Sequence, residues 1–238
     1  MALKQLKYRE ESQFDHPGEH EKVLRFTRNE RISHWVHAAS FFLLLITGLG
    51  ILSLSFRPAM GIFGGIQAAR LIHRGAAVVF VVVAAALFFI GDSKYHWEWL
   101  KSAFHLSKSD WKHIAAFPKE FFGGHADYPD QDKYNGGEKI NSLLTIFGSI
   151  FLTLSGIIMW FSSYFPPALV RWAYPVHDLS MFVMTAAVFG HMYLGLLHPE
   201  SRTAISGMLN GYVSSKFARA HHAAWYERVK NQERGING

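Results

Sequence analysis

Four long stretches without a single charged residue decide what this chain can become: residues 32–56, 75–91, 140–170 and 179–199. The hydrocarbon core of a bilayer is crossed by a helix of about 20 mostly apolar residues, and three of the four stretches reach that length unaided. The second becomes long enough when its helix takes in Leu71-Ile72-His73-Arg74, because an arginine at a helix start can keep its head in the interface. Half the residues are apolar while the mean hydropathy is only +0.07, so the average conceals apolar helices joined by very polar connections. The expected fold is an all-α integral membrane protein, a four-transmembrane-helix bundle with an interfacial helical loop and a soluble C-terminal helix.

Local signals place the elements. Thr27-Arg28-Asn29-Glu30 has capping-box spacing and starts the first helix, while Pro166 and Pro167 should end the third near Tyr164. Helices are expected at about 27–56, 66–91, 140–164 and 174–198. They divide the chain into an N-terminal tail (1–26), a membrane domain (27–200) and a C-terminal tail (201–238). The long connection 92–139, with Trp97, Trp99, Trp111, Phe117, Phe121 and Phe122, reads as an interfacial helical stretch and then a turn-rich section from His125 to Glu138. A helix around 217–229 is expected in the tail. No basic start with an apolar core precedes the first helix, so no cleavable leader is expected, and no internal repeat is visible.

The basic residues orient the bundle. The N-terminal tail taken with the opening turn of the first helix (residues 1–31), the 92–139 loop and the C-terminal tail carry 7, 7 and 6 Lys+Arg, whereas the two remaining loops carry 3 and 1. By the positive-inside rule both termini lie in the cytoplasm. The net charge of +6 thus reflects topology and attraction to anionic lipid, with no nucleic-acid site implied.

With no cysteine, disulfides, protein-bound iron–sulfur clusters and thiolate-ligated or covalently attached haem are excluded. Fourteen histidines remain as candidate ligands. His177 and His191 are separated by 14 residues, about 3.9 helical turns, so they share a face about 21 Å apart. The first helix runs outward and the fourth inward, which brings His34 and His191 to one depth near the cytoplasmic side and His73 and His177 to another near the outer side. Two imidazole pairs, one per leaflet, suit two haems with two axial histidines each. His37 competes with His34, lying nearly on the same face. The remaining histidines fall in polar or interfacial segments where solvation is the default. Gly48, fourteen residues beyond His34, leaves room for a porphyrin or for close helix packing, and Arg31 and Arg74 are placed either to meet haem propionates or to anchor at the interface.

Arg31-Ile32-Ser33-His34-Trp35, Leu71-Ile72-His73, Tyr134-Asn135-Gly136-Gly137-Glu138-Lys139, Val176-His177 and the tail around His221-His222-Ala223-Ala224-Trp225-Tyr226 together resemble the gamma subunit of membrane-bound formate dehydrogenase, a di-haem cytochrome b. The likeness spans roughly residues 22–230. It implies two haem b groups, the inner on His34 and His191 (favouring His34 over His37) and the outer on His73 and His177. It implies electrons arriving from an iron–sulfur beta subunit, with formate oxidised on an alpha subunit carrying molybdenum or tungsten, so that this chain holds no catalytic residue of that oxidation. A quinone, menaquinone or ubiquinone, would be reduced near Asn135, Gly137 and His191 with cytoplasmic protons. Glu138 stands where the family usually has glutamine, either as a proton donor or as a solvated loop charge, and Gly136 would make that turn flexible. The implied setting is a bacterial cytoplasmic (inner) membrane, with higher oligomers of the complex left open. Two other functions are compatible with these residues: a cytochrome b subunit serving a hydrogenase or thiosulfate reductase, and a haem-free membrane anchor or assembly protein.

Overall fold

The computed structural model describes residues 21–122 and 127–236; His16, His20 and His125 lie outside them. Among the described residues, four helices are long and apolar enough to cross a membrane. α1 (Arg28–Leu52) is followed by a 3-10 segment (Leu54–Phe63) and α2 (Ile66–Leu87). Two shorter helices come next, α3 (Ser93–Phe104) and α4 (Lys108–Phe121). α5 (Gly136–Trp160) and α6 (Pro167–Met192) complete the bundle, and α6 runs on through a π-helical turn, Tyr193–Leu197.

Each helix begins where local chemistry lets it. Thr27 caps α1 as expected: its hydroxyl accepts the Glu30 N–H at 3.4 Å while Glu30 accepts the Thr27 N–H at 2.8 Å. Gly64 and Gly65 adopt φ of 90° and 97°, a turn that a side chain would strain, and α2 starts directly after them. α5 starts four residues before the charge-free run, because Asn135 and Glu138 form a second capping box. Pro166 and Pro167 open α6, since a proline in the first turn loses no helical hydrogen bond. The third helix ends at Trp160, followed by one 3-10 turn, Ser162–Tyr164.

α1 packs on α2 and α5 on α6 as two helical hairpins. Their shared core contains Phe41, Phe80 and Met184, while Val82, Leu154, Leu179 and Phe182 face outward. Such an outward apolar surface is what a bilayer covers. The first helices of the two hairpins also correspond place by place, although no repeat was expected. Arg25, Thr27, Glu30, Thr47 and Gly48 recur 108 positions later as Lys133, Asn135, Glu138, Ser155 and Gly156, in the same helical places. Identities differ at all but two of these positions, so the correspondence is one of geometry.

At the end of the bundle where α1 begins and α6 ends, polar segments form a folded cap. β1 (Lys22–Leu24) pairs antiparallel with β2 (Tyr212–Ser214), Val23 opposite Val213. The expected tail helix is two, α8 (Ser215–His221) and α9 (Ala223–Ile236), preceded by the short α7 (Ile205–Asn210). Val23, Val213, Phe217, Ala218, Trp225 and Tyr226 bury one another there. His222 between α8 and α9 is 1% exposed, and His96, His113 and His198 are buried too, against the expectation that they were solvated or interfacial.

Gly136 is not a source of flexibility. It is a buried first-turn residue of α5, and a Cβ there would lie 2.5 Å from the Asp110 carbonyl oxygen. The backbone of α4 therefore lies directly on the start of α5, held by the buried Lys139–Asp110 ion pair at 2.7 Å. Burial pushes the Asp110 carboxyl up, but hydrogen bonds from Lys139 and Ser107 outweigh it and bring the group below its usual value. Gly136→Ala is expected to cost about 1–3 kcal/mol by overpacking. Limited proteolysis should show residues 108–122 cleaved faster in the variant; unchanged protection would contradict this packing.

Candidate functional site

Two pairs of imidazoles face each other inside the bundle, one at each end. His34 on α1 and His191 on α6 have ring centroids 6.2 Å apart, and His73 on α2 and His177 on α6 have theirs 6.4 Å apart. His37, three residues on from His34, does not face His191 and stacks on Phe80, centroids 4.0 Å apart. α6 contributes to both pairs.

Hydrogen bonds fix how the second pair is turned. Thr47 donates its hydroxyl proton to the Leu43 carbonyl at 2.7 Å, so at 2.9 Å from His73 Nδ1 its oxygen accepts from that nitrogen. Ser155 likewise donates to the Phe151 carbonyl and accepts from His177 Nδ1 at 2.9 Å. Both rings thus carry their proton on Nδ1 and keep Nε2 as a lone pair. The adjoining glycines matter as well. A Cβ on Gly48 would sit 3.3 Å from His73 Cε1, and one on Gly156 3.5 Å from His177 Cε1. Gly48 is therefore at the expected depth, and what it admits is the His73 ring itself. In the first pair, His34 Nδ1 is buried with no hydrogen-bond partner.

These residues can hold a metal in a particular way. Among the described residues no three His, Asp or Glu converge on one point. Histidines in twos suit an iron whose other four ligands come from a macrocycle. The spacing fits as well: two metal–imidazole bonds of about 2 Å, plus roughly 1 Å from each nitrogen to its ring centre, set centroids about 6 Å apart. Direct hydrogen bonding between two imidazoles would bring the rings closer than is seen.

The family model that matches residues 25–211 is described as prokaryotic cytochrome b561. The chain belongs to that family. Its membership implies haem b and a membrane electron-transport protein. Among similar proteins, the formate dehydrogenase cytochrome b556(fdo) subunit of Escherichia coli (strain K12) is 30% identical over 213 residues, 87% of this chain and 93% of the relative. The formate dehydrogenase cytochrome b556 subunit of Haemophilus influenzae is 29% identical over 86% of this chain and 82% of its own length. The nitrate-inducible cytochrome b556(Fdn) subunit of E. coli is 27% identical over 89% and 93%.

Around the first pair the cap supplies a charged network in which Arg25 and Glu30 are buried and Glu138 and Lys133 partly so. Arg25 donates to Glu138 at 2.9 and 3.0 Å and to the Lys133 carbonyl at 2.8 Å, and Glu138 also accepts the Asn135 N–H at 3.0 Å. Glu138 is therefore no solvated loop charge. Lys133 in turn reaches Glu30 at 2.7 Å, as does the Tyr134 hydroxyl at 3.2 Å. The two ion pairs cross: each cation two residues before one capping box meets the acid of the other. Glu138 is close enough to His191 to act on it electrostatically. Asn135 is occupied as a helix cap, and Gly137 lies beside its side chain and His113.

Other expected site residues are placed differently from one another. Arg31 donates to the Met208 carbonyl at 3.4 Å and to that of Leu209, at the end of α7. Arg74 lies exposed over the Trp160 ring, 5.4 Å from its centroid. Sequence reasoning missed Thr47, Ser155, Arg25 and His222. A hydroxyl beside a glycine in each of two aligned helices was the signal available for the first two.

His222 gives a pH dependence. Burial first, then Arg25, hold its imidazole down to about 3 from an ordinary 6.5, and its Nδ1–H donates to the Asp132 carbonyl at 2.8 Å. An unfolded tail takes up a proton near pH 6.5 that the folded tail refuses until about 3. The contribution is fully present above 6.5 and is lost as pH falls from there toward 3. Amide protection over residues 212–229, corrected for intrinsic exchange, is expected to fall between pH 7 and pH 5, and less so in His222→Phe; equal loss in both proteins would contradict the assignment.

Proposed function

We propose that this chain is the cytochrome b subunit of a respiratory formate dehydrogenase, carrying electrons through two bis-histidine haem b sites to a membrane quinone. The observation that carries the reading is the pair of facing imidazole pairs, at opposite ends of one apolar bundle and sharing α6. Haem b supplies a one-electron carrier at each site. His73 and His177 hold the group toward the outer leaflet, and His34 and His191 the one toward the cytoplasm. The Thr47 and Ser155 hydroxyls turn the outer imidazoles toward each other. The apolar helices keep water from the bundle interior.

Quinone reduction belongs at the cap. Asn135, Gly137 and Glu138 open α5 within electrostatic reach of His191, at the end rich in lysine and arginine. Both termini and this cap then lie in the cytoplasm, from which the two protons of a quinol are drawn. Arg25 holds Glu138 in place, so its carboxylate is a fixed acceptor at the rim rather than a loose relay. On the outer face Arg74 is the better placed of the two arginines for a haem propionate, since Arg31 is engaged by α7. An iron–sulfur beta subunit would deliver electrons at the outer face, and an alpha subunit with molybdenum or tungsten would oxidise formate.

Several relatives share the formate dehydrogenase name, which favours that partner over a hydrogenase or thiosulfate reductase. Haem-family membership weighs against a haem-free anchor or assembly protein. His73→Ala or His177→Ala is expected to remove one haem b from the reduced-minus-oxidised spectrum, and His34→Ala or His191→Ala the other. Asn135→Ala should slow quinone reduction at least tenfold while partner-driven haem reduction persists. Two intact haems in any of the histidine variants would sink the assignment, and complexes that reduce quinone with hydrogen but not formate would redirect it.

A further inference from the structure

The two halves of the outer site match in a way that the inner site does not. Thr47 and Ser155 occupy the same helical place in α1 and α5, each followed by a glycine on which the histidine ring of the neighbouring helix lies. Each hydroxyl spends its proton on its own helix, at the carbonyl four residues back, and each is left with an oxygen that can only accept from Nδ1. A hydroxyl already donating to a carbonyl is polarised and accepts more strongly. The inner site has no such matched device. The equivalent of His34 in α5 is Ser142, which donates to the Glu138 carbonyl and accepts from Trp99, and His34 Nδ1 is buried without a partner.

Hydrogen bonding at the far nitrogen of a ligating imidazole makes the near nitrogen a stronger base, which favours the more highly charged, oxidised metal. We propose that Thr47 and Ser155 are positioning residues that fix the outer imidazoles with Nε2 toward the metal and lower the potential of the outer haem below that of the inner one. The fold then gives electron flow its direction, outer site to inner site, without any change in ligand type. The inference rests on the function proposed above.

Redox titration of the purified full-length chain tests it, with the outer component identified as the one missing from His73→Ala. In the wild type the outer haem is expected to titrate below the inner. Thr47→Val and Ser155→Ala should each raise the outer potential, and together raise it further, with the inner potential unmoved. Thr47→Ser and Ser155→Thr, which keep the hydroxyls, should titrate like the wild type. The proposal is overturned if the hydroxyl-free variants leave the outer potential unchanged or lower it, or if the inner potential moves as much. It is overturned equally if all four variants lose the outer haem, which would mark a packing role, or if the wild-type outer haem titrates above the inner. A wild-type chain containing no haem b would instead refute the function from which the inference starts.

Discussion

Inside a bilayer a polar group has no water to bond to, so an imidazole, hydroxyl or helix end left without a partner in the protein is costly. Most polar placements in these four helices follow from that condition. Thr47 and Ser155 bond back to their own helices and accept from His73 and His177. The first turns of α1 and α5 are closed by capping boxes, and the acids that close them are neutralised across the hairpins by Lys133 and Arg25. The crossing of these two ion pairs ties the hairpins together where the cap sits. The facing imidazole pairs stand out against this background because their rings stand 6.2 and 6.4 Å apart, centroid to centroid, farther than a direct hydrogen bond between them would allow.

The cap completes the arrangement by burying what the bundle leaves open. β1 and β2 join segments from opposite ends of the chain, and Arg25, placed by β1, reaches the start of α5. His222 stays neutral beside that guanidinium, with its proton given to the Asp132 carbonyl. α4 closes the other side of α5 through Gly136 and the Lys139–Asp110 pair. The start of α5, and with it the rim near His191, is thereby held from two sides.

Much of this was legible in the sequence because membranes impose simple rules. Uninterrupted apolar runs gave the four helices, and the spacing of His177 and His191 along one helix gave two levels whose partners the structure supplies in His73 and His34. The cap was not legible, since strands of three residues leave no periodic pattern and the Arg25–Glu138 pair spans 113 residues. His96, His113 and His222 were misread for a related reason: they sit in polar segments, yet those segments pack on each other. The Asn135-Gly136-Gly137-Glu138 cap was legible in principle, having the same spacing as Thr27 to Glu30, but its glycines suggest a turn. The correspondence of the hairpins escaped notice because most of its matched positions differ in identity while keeping their role.

The central claim is that each imidazole pair holds its own haem, and it is tested most directly by counting. Haem b extracted from the purified wild-type chain, set against protein from amino-acid analysis, is predicted to give two per chain. A value of one or none, in protein that is folded and intact, would contradict the account.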